Sequence, residues 1–167
     1  MTIEHDFFGV LGSDGAGEMY WSEVTELGDQ NVDITLSAPD EDSVKPESLD
    51  IAAAMVNAIE DLDTQVRESL VAELSSEGST TAQFIEQSID DLGPEALGDA
   101  VIWDSGDQQI DFLRSLRLQR VGFYPHHGGS DEHFALLDYS IAPHETDTLL
   151  IIAIDINGDT VTISIDD

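Results

Sequence analysis

The spacing of apolar residues changes twice along this chain, and no other feature narrows the fold as far. Val32, Ile34 and Leu36 alternate with Asp33, Thr35 and Ser37, the two-residue period of a strand with one wet face. Beyond Pro46 the period lengthens. Leu49, Ala52, Val56, Ile59, Leu62, Val66, Leu70 and Leu74 recur at helical spacing and draw one apolar stripe along a helix surface. Further on, Ala135, Leu137, Tyr139 and Ile141 alternate again. Strands at both ends with helices between them call for a sheet that the helices can cover. The expected class is α+β, a mostly antiparallel sheet of about three N-terminal and four C-terminal strands packed with helices from the middle. No internal repeat and no linker divides residues 1–167, so one domain is expected.

Punctuation refines this outline. Phe7, Phe8, Val10 and Leu11 read as a short strand ended by the turn cluster Gly12, Ser13, Asp14 and Gly15. A second strand over residues 18–25 is closed by Gly28 and Asp29. The long apolar stripe fits one helix or two, with Asp61 and Asp63 as caps for a break near Leu62. Gly78 ends it. Thr80 with Gln83 suggests a capping box for a helix whose inner face is Ile85, Ile89 and Leu92, and Gly93-Pro94 stops that helix. A short helix over 95–102 follows. Ser105 with Gln108 suggests another capping box, opening a helix that carries Ile110, Leu113 and Leu116. Strands are then expected over 118–124, 134–141 and 148–155, the last apolar throughout and so central. Asn157-Gly158 is a strong hairpin turn signal, leading into Val161, Ile163 and Ile165.

Charge decides which partners are open to such a fold. Asp and Glu number 36 against 5 Lys and Arg, a formal charge of −31, and Lys45 is the only lysine. A hydrophobic fraction of 41% still supplies an ordinary core. The acids are dispersed through every segment, which points to a solvated surface suited to a salt-rich cytoplasm. A basic protein is the alternative partner. No basic stripe exists to engage a nucleic-acid backbone. The chain has no cysteine, which excludes disulfides and thiolate chemistry. Residues 1–6 lack the apolar core of a signal peptide, and the apolar run 149–154 is too short to span a bilayer. A cytoplasmic protein without membrane contact is expected.

Two places gather the scarce basic groups. His126, His127 and His133 fall in one Gly-containing connection beside Asp131 and Glu132, a donor set suited to a divalent metal or a general base. The competing reading is a polar hairpin loop, because adjacent side chains of an extended segment point to opposite faces. Arg114, Arg117 and Arg120 could receive a carboxylate or phosphate, or pair with the protein's own acids. Asp138, interrupting an apolar strand, is the natural partner for one of them. Residues 155–166 resemble a calcium loop in their acids, but Thr160 stands where the loop requires glycine, and a hairpin turn explains them better.

Several phrases resemble the DUF2004 family, small bacterial and archaeal proteins known as a domain of unknown function. They are His5-Asp6-Phe7-Phe8-Gly9, Phe112 to Leu118, Val121-Gly122-Phe123-Tyr124-Pro125, Leu137-Asp138-Tyr139-Ser140-Ile141 and the closing strand–turn–strand from Thr148. The resemblance covers both ends of the chain and implies a fold rather than an activity. The expectation is a non-enzymatic interaction or accessory module with a salt-adapted surface, with no cofactor, metal or catalytic residue assigned. The alternatives are an acidic inhibitor or immunity-type protein that covers a basic partner, and a metal-dependent hydrolase at the His126 to His133 loop.

Overall fold

A computed structural model describes residues 2–12, 18–28, 30–129, 132–143 and 145–166. The expected turn residues Ser13, Asp14, Gly15 and Asp29, and Asp131 of the histidine connection, lie outside these. Strands β1 (Thr2–His5) and β2 (Gly9–Gly12) form a small antiparallel hairpin. Strands β3 (Met19–Leu27) and β4 (Gln30–Ala38) begin a six-stranded sheet. Helices α1 (Pro46–Asn57), α2 (Ile59–Glu73), α3 (Thr80–Ala100) and α4 (Gln108–Ser115) follow, and then strands β5 (Arg117–Phe123), β6 (Ala135–Ser140), β7 (Leu149–Ile154) and β8 (Thr160–Asp166).

The sheet order is β3-β4-β5-β6-β7-β8. All its neighbouring pairs are antiparallel except β4 and β5, which the helical middle joins in parallel. A parallel pair needs a long crossover, and the helices supply it. The core lies between the helices and one sheet face. Val32, Ile34 and Leu36 meet Val121 and Phe123 across β4–β5, then Leu137, Tyr139, Leu150 and Ile152, all buried. From the helices Leu49, Leu62, Val66, Leu70, Phe84, Phe112 and Leu113 close the same core. The α+β reading therefore holds, and half-buried Ile163 and Ile165 of β8 pack against the core.

Local readings needed correction in several places. Phe7 and Phe8 form the turn of the first hairpin, not a strand. Their amides both donate to His5 Nδ1, at 3.1 and 3.4 Å, while His5 Nε2 donates to Asp50 Oδ1 at 2.8 Å. The apolar stripe divides at Ala58 (φ −112°, ψ 35°), four residues before Leu62, and neither Asp61 nor Asp63 caps the break. Ser79, not Thr80, caps α3 by accepting from the Ala82 amide at 3.0 Å. Asp107, not Ser105, caps α4 by accepting from the Ile110 amide at 3.1 Å. Ile89 is exposed, because α3 turns Phe84, Ile85 and Ser88 inward. Gly93 (φ 77°, ψ 168°) kinks α3 before Pro94, and the short helix beyond the kink is the one expected over 95–102.

Candidate functional site

The three histidines meet. Phe134 donates its amide to the Ile154 carbonyl and accepts from the Tyr124 amide, both at 2.8 Å, which anchors the base of the β5–β6 connection. Above that base the chain turns instead of extending. His127 N donates to the Tyr124 carbonyl at 2.9 Å, and the turn swings neighbouring side chains onto one side. The His126 and His127 ring centroids are 4.1 Å apart, and those of His127 and His133 are 4.6 Å apart. Tyr124 stacks on His127 at 6.1 Å and sits edge-on to His133 at 5.3 Å. The expectation that adjacent histidines diverge is overturned, since alternation belongs to extended backbone and this backbone is a turn.

Hydrogen bonds fix part of this cluster. His127 Nδ1 donates to the His133 carbonyl at 3.0 Å, so that nitrogen carries the proton. His126 Nδ1 is enclosed and has no hydrogen-bond partner among the described residues. Burial holds the His126 pKa below its ordinary 6.5, and the imidazoles of His127 and His133 lower it further against the pull of Glu132 and Asp40. A hollow of about 380 Å³ beside the rings is also lined by Glu18, Ser37, Ala38 and Pro39. Among the described residues no three His, Asp or Glu side chains are gathered so as to hold one metal ion.

The arginines separate. Arg120 donates to buried Asp138, with Nε and Nη2 at 3.0 and 2.8 Å from Oδ2. Burial raises the Asp138 pKa, and the Arg120 charge opposes the rise. Arg120 and Asp138 lie directly opposite on β5 and β6. They point away from the helices, since Tyr139, next along β6, reaches α2 on the other face with its hydroxyl 2.6 Å from Asp63. This second sheet face carries exposed Tyr20, Val24, Asp33, Thr162 and Ser164, and is closed to solvent at Gly122, Asp138 and Ser140.

Arg114 and Arg117 instead line a hollow of about 580 Å³ near the Leu27–Gln30 turn, with Glu60, Asp63, Arg67 and Asp104 among its walls. The residue that organises this end is Arg67, which sequence reasoning overlooked. Its Nε lies 3.1 Å from both Asp63 oxygens, Nη1 donates to the Leu113 carbonyl and Nη2 to the Leu116 carbonyl, each at 2.7 Å. The four-residue spacing of Asp63 and Arg67 on a helix was its one visible signal. A further hollow of about 490 Å³, between β3 and the α1–α2 corner, is lined by Phe7 and Trp21 together with Glu23, Glu26, Glu60 and Asp61.

Fold and sites together define an acidic α+β domain with a clustered imidazole turn and an arginine-tied helix end. Comparison with family models, curated proteins and solved structures finds no match for the chain.

Proposed function

We propose that this chain is a non-enzymatic interaction or accessory module whose surface is adapted to a salt-rich solvent. The observation that carries this reading is the placement of its carboxylates. Glu4, Glu23, Asp33, Asp50, Glu68, Asp90, Asp99 and Asp166, on seven different strands and helices, are all exposed. Among the described residues the three buried acids are held inside the fold: Asp138 by Arg120, Asp111 by the Ser105 amide, and Asp155 by the Asn157 and Asp159 amides. Surface carboxylates so dispersed repel one another at low ionic strength without marking one face. Simple screening is largely complete near 1 M salt, where the Debye length is about 3 Å. Screening alone thus predicts a plateau near that concentration, whereas a surface adapted to a salt-rich solvent predicts an unfolding midpoint that keeps rising in KCl beyond about 1 M. A plateau or fall above that concentration overturns the reading.

The hollow bearing Phe7 and Trp21 supports a second reading, an acidic inhibitor-like module for a basic protein. Two aromatic rings beside four carboxylates offer both cation–π and ionic contacts to a guanidinium. Under this reading an arginine-rich peptide perturbs Trp21 emission at low salt, and Glu60→Gln with Asp61→Asn weakens that response. An unchanged emission spectrum removes it.

A further inference from the structure

We propose that His126, His127 and His133 form a pH-sensitive clasp, holding residues 124–129 against 132–134 while neutral and releasing them on protonation. The proposal stands on contact geometry. Imidazoles whose centroids lie 4.1 and 4.6 Å apart touch ring to ring, with Tyr124 packed against them. Neutral rings tolerate this packing. Two imidazolium ions at the same separation repel.

The enclosed His126 Nδ1 adds a second constraint. A neutral ring can leave that nitrogen as a bare acceptor at modest cost, but a protonated one carries a charged donor with nothing to receive its hydrogen. With its Nδ1–H committed to the His133 carbonyl, His127 has only Nε2 left to accept, and His126 Nδ1 makes no hydrogen bond to it.

Charged groups around the cluster set how strongly protonation acts on it. Among the described residues Glu132 lies on the same connection, Asp40 follows β4, Glu18 precedes β3 beside the hollow, and Tyr124 is a further titratable neighbour. The Glu132 and Asp40 charges favour a protonated His126 and offset part of the effect of burial and of the neighbouring imidazoles, which outweigh them. The closed form holds His126 below the ordinary imidazole value of 6.5, so the open form binds the proton more readily. The clasp is therefore at full strength above that value and weakens as pH falls through it toward the closed-state pKa. The base of the connection, held by the Tyr124–Phe134 and Phe134–Ile154 bonds, contains no imidazole. Opening is confined to the residues above it, beside Ser37 and buried Ala38 at the end of β4.

The test is a histidine-ring NMR titration of the full chain in constant molar salt, run with amide hydrogen exchange between about pH 7.5 and 5. His126 is expected to titrate lowest of the three. Protection of the His127 and Glu132 amides should fall on acidification by up to about tenfold per pH unit, the limit for one proton, while the Tyr124 and Phe134 amides at the base, β6 and β7 stay protected. His126→Gln should flatten that dependence. Three rings titrating independently near the ordinary value, or protection that stays constant with pH, overturns the proposal in the native chain whatever the variant does. A folded His126→Gln protein that keeps the full dependence also overturns it.

Discussion

Arg67 ties three elements with one side chain. It joins α2 to the last carbonyls of α4, and through Asp63 to the hydroxyl of Tyr139 on β6. Burial and the Asp63 charge push the Tyr139 pKa well above the ordinary tyrosine range, so this hydroxyl remains a donor at any ordinary pH. Replacing Arg67 with Met removes the guanidinium and leaves Asp63 and two helix-end carbonyls without it. Because the pair is partly solvated, a loss of about 2–3 kcal/mol is expected, below that for a fully buried pair. Urea unfolding measures it. Arg114→Ala, at an exposed residue, should stay within about 0.5 kcal/mol. The scarcity of basic residues drew attention to Arg114, Arg117 and Arg120 in the sequence, and Asp138 was correctly paired with one of them. Arg67 escaped because its carbonyl acceptors lie 46 and 49 residues away, where no local pattern reaches.

At the scale of elements, periodicity was legible and phase was not. The strand–helix–strand order follows directly from the change in apolar spacing. Which residue caps a helix depends on where its first turn packs, and the caps fall at Ser79 and Asp107, one and two residues from the positions that local chemistry suggested. Ile89 shows the same limit, since a one-residue rotation of α3 exchanges it for Ser88 at the core. The kink at Gly93 was marked by its Gly-Pro pair, and its φ of 77° with ψ of 168° belongs to a region that residues with a Cβ scarcely enter. No atom lies within 4 Å of an added Cβ there, so the cost of Gly93→Ala is backbone strain alone. A destabilisation of about 1–3 kcal/mol is expected from denaturant unfolding, with the sheet unchanged. The histidine turn was misread for a comparable reason. The divergence of His126 and His127 was argued from extended geometry, and the backbone bond from His127 to Tyr124 puts a turn there instead.

Across the whole molecule, an ordinary core sits inside an extraordinary surface. The sequence displays the −31 charge plainly, but composition does not say which way each carboxylate faces. The fold separates three buried acids with partners from exposed ones on most of its elements. No helix among the described residues is long and apolar enough to cross a membrane. If the dispersed acids set the stability, solvent should act on all of them together, and thinning them should matter more than removing any one. The most direct measurement is the unfolding midpoint against KCl, from about 0.1 to 3 M, for the native chain and for one carrying Glu86→Gln, Asp90→Asn, Asp91→Asn, Glu95→Gln and Asp99→Asn on exposed positions of α3. A midpoint that climbs through the molar range, with a shallower climb in the substituted chain, is the predicted result. A native midpoint that levels off near 1 M, or equal slopes in the two chains, contradicts it.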